Sequence, residues 1–312
     1  MGRSKAPLHT PLINAALVVL IILIVMYVPL RVRMERSERA LERLDPHLTI
    51  SVFFTNWPAG RPEPIGKGTR EHRRTAPWAS LIEERRHERP VVLIGAGDCS
   101  FSMGPPTRDP GDGELFEEIR RLRYDAVGIG ECETRIGLDG ILTQGHEHGI
   151  PFVSSNIIDR RTSKPAARTS IIKELGGTRT FIGRKGSLRV GIFSVALPDC
   201  IYASHQDAPS RYDVVDPKLA ALEAVTNLRA AGCRLIIAIS HQGWTQSLEL
   251  ARDVGGIDVV LNGHRSHDNA HEELVGRTIV VDPGTNGRSF TEVLMTFAGD
   301  SLIATPVDVR AK

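Results

Sequence analysis

Residues 234–243 read RLIIAISHQG, and residues 91–98 read VVLIGAGD. Each is a continuous apolar run, rich in β-branched residues, that stops at a glycine-bearing junction beside one side chain able to bind a metal, His241 or Asp98. Runs of this kind, short and bounded by turn signals, predict strands buried on both faces of a helix-covered parallel sheet. Further strands are expected at 48–54, 126–129, 152–154, 189–196, 259–261 and 278–281. Helical patterns lie between them at 78–86, 114–123, 138–148, 218–231 and 247–254, with Asp216-Pro217 a start signal and Gly232 a stop. Strands alternating with helices predict a layered α/β fold, and the turn-rich stretch 278–309 predicts an antiparallel edge.

In such sheets ligands bind beyond the carboxyl ends of the strands. The residues found there are Thr55-Asn56-Trp57, Gly97-Asp98-Cys99, Gly130-Glu131-Cys132-Glu133, Ser240-His241-Gln242-Gly243 and Asn262-Gly263-His264-Arg265-Ser266. Asp98, Glu131, His241 and His264 make two carboxylates and two imidazoles, a donor set suited to Zn, Mn or Fe. Glu133 and Asn262 are placed to hold those donors from behind. Cys99, Cys132, Cys200 and Cys233 form no C-x-x-C pair. Buried packing is the first reading for all four, and a Cys99–Cys132 disulfide or thiolate ligand the second for those two. His146 and His148 do not share a helix face and read as a helix end rather than a metal pair.

Of the 312 residues, 24% are charged, and the formal net charge is +2. The basic residues are scattered, so no nucleic-acid partner is expected. Residues 12–30, LINAALVVLIILIVMYVPL, would reach about 28 Å as a helix, close to the roughly 30 Å of a bilayer core. No small-x-small cleavage site follows, which predicts an uncleaved single-pass anchor after an N-terminal tail, 1–11. Residues 31–47 read as a charged helical linker ended by Pro46. Arg31, Arg33, Arg36, Arg39 and Arg43 outnumber Arg3 and Lys5, which by the positive-inside rule favours a cytoplasmic globular part.

The segments FFTNWPAGRPEP (53–64), LIGAGD (93–98), YDAVGIGECE (124–133), IAISHQG (237–243) and VVLNGHRS (259–266) carry a family resemblance, as does IPFVSSNI (150–157). In order and spacing they resemble the calcineurin-like metallophosphoesterases, most nearly the catalytic domain of bacterial 5'-nucleotidases. The resemblance covers roughly residues 48–310, within a domain expected at 48–312, and implies the four-layer αββα sandwich of metallo-dependent phosphatases. It implies metal ligands at Asp98, Glu131, His241 and His264, and one divalent ion there. The positions that would hold a second ion carry Trp57, Ala59 and Ser266, which do not suit one. The family's transition-state histidine falls on Cys132, and its orienting aspartate on Arg135. The separate nucleotide-recognition domain of that family has no counterpart within these 312 residues.

What the resemblance implies is a membrane-anchored phosphomonoester hydrolase of reduced or altered activity, acting on a small phosphorylated substrate. The alternative is a non-catalytic pseudo-phosphatase serving as a membrane-tethered binding or scaffold module. The resemblance places the globular part on the periplasmic, extracytoplasmic side, against the arginine count.

Overall fold

The computed structural model describes residues 48–55, 79–98, 111–135, 137–176, 178–180, 183–185, 187–202, 208–264, 270–284, 289–298 and 301–310. The expected tail 1–11, anchor 12–30 and linker 31–47 lie outside the described residues. So do Trp57, Ala59, Cys99, Arg265, Ser266 and His267, together with the side chains of Cys132 and Arg135. Among the described residues, no helix is long and apolar enough to cross a membrane.

In chain order the strands are Thr49–Thr55 (β1), Val91–Gly95 (β2), Ala126–Val127 (β3), Ile157–Asp159 (β4), Lys164–Pro165 (β5) and Ser170–Leu175 (β6). There follow Thr178–Thr180 (β7), Gly183–Lys185 (β8), Leu188–Ala196 (β9), Tyr212–Val214 (β10), Leu235–His241 (β11) and Val259–Asn262 (β12). His271–Val275 (β13), Thr278–Asp282 (β14), Ser289–Ala298 (β15) and Ser301–Arg310 (β16) complete the order. One sheet runs β16-β15-β1-β2-β3 and another β13-β14-β12-β11-β9-β6, beside a small β10-β4-β5 sheet and the β7-β8 pair. In the six-stranded sheet β9, β11, β12 and β14 are mutually parallel, with antiparallel strands at both edges.

Side-chain alternation sets the layers. Val52, Phe54, Val92 and Ile94 of one sheet share a buried cluster with Ile237, Ile239, Leu261 and Val281 of the other, so the two sheets pack face to face. The opposite face of the first sheet, through Phe53, Val91 and Leu93, packs on Ile82, Phe116, Ile119 and Ile141 from its helices. The opposite face of the second, through Ile236, Ala238, Val260 and Val280, packs on Ala221, Val225, Leu228 and Leu250 from helices Pro217–Ala230 and Trp244–Asp253. Burial of every residue in β2, β11, β12 and β14 explains their unbroken apolar runs.

Helix Pro217–Ala230 starts as its sequence predicts: Asp216 accepts from the amides of Lys218 and Leu219 at 2.8 and 3.0 Å, with Pro217 in the first turn. Cys200 and Cys233 are buried fillers, and burial pushes the Cys233 thiol up to about 11. His148 ends helix Leu138–Glu147 and stacks on Phe116, 5.4 Å between ring centres. Two local expectations change. Segment 152–154 forms only single bridges, Phe152 to Val127 and Val153 to Arg168, because the chain bends away at Ser155. The tail divides between the sheets: β15 and β16 form the antiparallel hairpin, while β14 joins the other sheet parallel to β12.

Candidate metal centre

The ends of β2 and β11, the end of β12, and the helix Glu131–Arg135 that follows β3 meet where the cluster between the two sheets opens. Here one donor atom from each of Asp98, Glu131, His241 and His264 lies within 4.8 Å of every other. Alternation explains the choice of side chain: Ile237 and Ile239 face the other sheet, and His241, two residues further on, faces the same way at the rim.

His241 is fully buried and forms the floor. Its Nδ1 lies 3.0 Å from the carbonyl oxygen of Ala96, which can only accept, so Nδ1 carries a hydrogen and Nε2 points into the cluster. Nε2 is 2.6 Å from Glu131 Oε2 and 3.5 Å from Asp98 Oδ2. Nδ1 of His264 is 3.1 Å from the same Glu131 oxygen. Asp98 and His264 are each 14% exposed and Glu131 36%, so solvent and small solutes reach the cluster from that side.

Electrostatics follow from this packing. Burial alone would lower the His241 pKa, but the Asp98 carboxylate and the hydrogen bond to Glu131 raise it to about 9. Burial alone would raise the Glu131 carboxyl; its hydrogen bonds to His241 and His264 overcome that and hold it well below the usual range. Glu133, fully buried, is pushed up to about 7 by burial and then by the charge of Asp98. Its carboxylate accepts from the amides of Asp98 at 2.9 Å and Gly130 at 2.8 Å, tying together the two junctions that carry metal-type donors.

Glycines permit the close approach. A Cβ on Gly130 would lie 2.6 Å from His241 Cε1 and 2.7 Å from its Nε2, and closer still to Asp98 Oδ1. A Cβ on Gly263 would lie 2.5 Å from the Ala96 carbonyl oxygen. Asp98 adopts φ +55°, a left-handed conformation that turns its carboxylate back toward the cluster at some backbone cost.

These four side chains suit a divalent ion. Bonds of about 2.1 Å in a tetrahedron put donors about 3.4 Å apart. The 3.5 and 3.1 Å separations are of that order, whereas the 2.6 Å Glu131–His241 contact is a hydrogen bond that an ion would replace and widen.

Asn262 Nδ2 donates to the His264 carbonyl at 3.2 Å and to Asp282 Oδ2 at 3.0 Å. Its other partners escape a reading of the sequence. Ser247 Oγ lies 2.9 Å from Asn262 Oδ1 and 2.8 Å from Ser240 Oγ, and Gln242 Nε2 donates to Ser240 at 3.0 Å. The sequence pattern starts this helix at Ser247. The helix instead begins at Trp244 behind Gly243 (φ +94°), leaving the serine one turn inside and facing the sheet. Ser240 pairs with Asn262 across two parallel strands and Asp282 follows Val281, the partner of Leu261, so a polar residue at each of three strand ends is the signal that would have found the group.

Fold and site together give a layered α/β scaffold with a candidate metal-binding group at one end of its sheets. The chain is a relative of the 5'-nucleotidases and 2',3'-cyclic-nucleotide phosphodiesterases, and it has the fold of the calcineurin-like phosphoesterases. It is 27% identical over 205 residues to a 2',3'-cyclic-nucleotide 2'-phosphodiesterase/3'-nucleotidase of Yersinia enterocolitica, covering 60% of this chain and 31% of that protein. It is 30% identical over 195 residues to the snake venom 5'-nucleotidase of Crotalus adamanteus, covering 59% and 30%. The 5'-nucleotidase precursor of Thermus thermophilus superposes with a TM-score of 0.65 at 22% identity, over 85% of this chain and 54% of that one. A calcineurin-like phosphoesterase of Bacillus subtilis gives 0.65 at 18%, over 85% and 91%. No protein-family model matches. The chain spans about a third of the length of the curated relatives it matches.

Proposed function

We propose that this chain is a metal-dependent phosphoesterase-type protein that holds one divalent ion, Zn, Mn or Fe, at Asp98, Glu131, His241 and His264. The observation that carries it is the convergence of four donors from four separate junctions onto one rim, with His241 oriented by Ala96 and space kept by Gly130. An ion bound there supplies Lewis-acid polarisation of a phosphoryl oxygen. Around it, Glu133 and Asn262 hold the donors in place, and Cys132 and Arg135, in the short helix after Glu131, are assigned to acid–base and phosphate-clamping roles. The substrate is a small phosphorylated molecule, of the kind named for the nucleotidase and phosphodiesterase relatives. The layering is assigned to the αββα sandwich of metallo-dependent phosphatases, within a domain spanning 48–312. Residues 12–30 anchor that domain and 31–47 hold it off the membrane, on the extracytoplasmic side.

Two-metal hydrolases clamp both the attacking and the leaving oxygen. Trp57, Ala59 and Ser266 are poor donors for a second ion, and this favours a second reading: a tethered binding module that keeps the ion without turnover. Elemental analysis of the purified full-length chain, with turnover of a generic phosphomonoester in Mn²⁺ or Zn²⁺ against an Asp98→Asn control, separates the two. Stoichiometric metal with turnover lost in the control supports the hydrolase. Stoichiometric metal with turnover no higher than the control leaves the binding module, and absence of metal sinks both. A reporter fused at the C-terminus tests the orientation, and signal from the cytoplasmic side would refute the placement.

A further inference from the structure

A buried carboxylate outside the four clustered donors lies behind the metal centre. Asp282 ends β14 and is fully buried. Leu261 and Val281, paired across β12 and β14, face the other sheet, so Asn262 and Asp282, one residue further on, face the helix side. Ser247 reaches Asn262 there from helix Trp244–Asp253. Two residues after Asn262 comes His264, whose Nδ1 reaches Glu131 in the cluster.

Asp282 accepts at both oxygens. Oδ1 takes the Gly284 amide at 2.8 Å, closing the turn after β14, and Oδ2 takes Asn262 Nδ2 at 3.0 Å. Burying a carboxylate is costly, and an asparagine would close the same turn and still bond across the strands. What the carboxylate adds is direction. It can only accept, so the NH₂ end of Asn262 must face it. That same nitrogen donates to the His264 carbonyl at 3.2 Å. Ser247 sets no direction, because its hydroxyl can donate or accept and also lies 2.8 Å from the Gly243 carbonyl. With an amide at position 282, its oxygen kept by Gly284, an NH₂ group would face Asn262. Asn262 would then turn its own oxygen that way, and this oxygen would meet the His264 carbonyl with no hydrogen between them.

We propose that Asp282 is a positioning residue for the metal centre: by fixing the sense of the Asn262 amide, it holds the His264 backbone, and with it the imidazole, in place for the ion. The proposal rests on the metal-binding reading above. Asp282→Asn tests it, since this change keeps the turn bond and removes the direction. In the full-length chain, Co²⁺ affinity, followed through the visible absorption of the bound ion, should fall about 10–100-fold with the bands displaced. The unfolding midpoint of the metal-free variant should stay close to that of wild type. The double variant Asn262→Asp/Asp282→Asn restores the charge and a direct bond between the two positions but offers the His264 carbonyl no donor. It should lose as much Co²⁺ affinity as the single variant.

NMR of the metal-free chain asks the same question without an ion. The Asn262 side-chain NH₂ signals, identified by their absence in Asn262→Ala, should move upfield in Asp282→Asn, as a charged acceptor is exchanged for a neutral one. Wild-type Co²⁺ affinity in Asp282→Asn, recovery of affinity in the double variant, or unmoved Asn262 signals overturns the proposal. Recovery would mean that the bond between strands is all that matters. No Co²⁺ bound by wild type, with the Asn262 signals moving as expected, sinks the metal-binding reading and keeps Asp282 as the residue that holds the His264 backbone.

Discussion

The open end of the inter-sheet seam has two halves that handle buried polar groups in opposite ways. Where β2, β11 and β12 end, His241 is held by Ala96 and Glu131, Glu133 by two backbone amides, and Asn262 by Ser247, Asp282 and the His264 carbonyl. Where β1 and β14 end and β15 begins, the Thr291 hydroxyl is buried with nothing to bind. A paired network fixes donor positions before any ion arrives, which is what a metal centre requires. An orphaned buried hydroxyl carries a desolvation cost that no hydrogen bond in the fold offsets. The difference separates a candidate coordination site with its polar atoms paired from a buried position whose polar atom is left without a partner.

Filling the space that keeps the donors together should produce the largest effect. Gly130→Ala drives a methyl into Asp98 and His241. It is expected to lower metal affinity by at least about 100-fold and to cost about 1–3 kcal/mol of stability, read by metal titration calorimetry and denaturant unfolding. Gly140→Ala is its control: it sits in helix Leu138–Glu147 with no atom within 4 Å of the added methyl, and should stabilise by up to about 1 kcal/mol. Equal metal affinity in the two variants would break the idea of a tight preformed cluster. Next in size, Asn262→Ala frees the His264 carbonyl and should weaken metal binding about 10–100-fold with the four donors intact. An unchanged affinity would show that the polar group under the rim serves the fold alone.

The pH response of the metal-free protein sharpens the same contrast. The His241 pKa is raised from its ordinary 6.5 to about 9. Its contribution to stability is therefore fully present below about 6.5 and lost as pH rises through about 9. Glu133, raised from 4.5 to about 7, acts in the same direction, and its contribution disappears as pH rises through about 7. Glu131 is lowered from 4.5, so its contribution is present above 4.5 and is lost only under acid. An ion must displace the proton on His241 Nε2, so metal binding should release protons near pH 7. The rise in Tm on adding metal should then grow from pH 6 to pH 9, measured with and without chelator. A flat increment would mean that His241 is not a ligand.

The buried strands, the helices and the four donors were legible because each rests on a local rule. Apolar runs mark strands covered on both faces, and a glycine junction marks where a side chain turns into the site. Other features depend on packing between distant segments. The bonding of Ser247 to Asn262 depends on a helix starting three residues earlier than its serine suggests. The division of the tail between two sheets depends on which partner strand β14 finds. Nothing local marks Thr291 as unpaired, since burial and missing partners are properties of the folded environment.

The smallest predicted effect tests the comparison most directly, because it sets two hydroxyls of similar burial against each other. Ser247 is fully buried and bonds to Ser240, Gly243 and Asn262. Ser247→Ala leaves those partners unsatisfied and should cost about 1–3 kcal/mol. Thr291→Val replaces an unpaired hydroxyl with a methyl of the same shape. In the ligand-free protein it should be neutral or stabilise by up to about 1 kcal/mol, because it removes a desolvated polar atom and breaks no bond. Equilibrium unfolding of both variants with matched m-values gives the two signs. A clear loss of stability in Thr291→Val would mean that the hydroxyl already has a partner, such as a bound water, and the two halves of the seam would then follow the same rule.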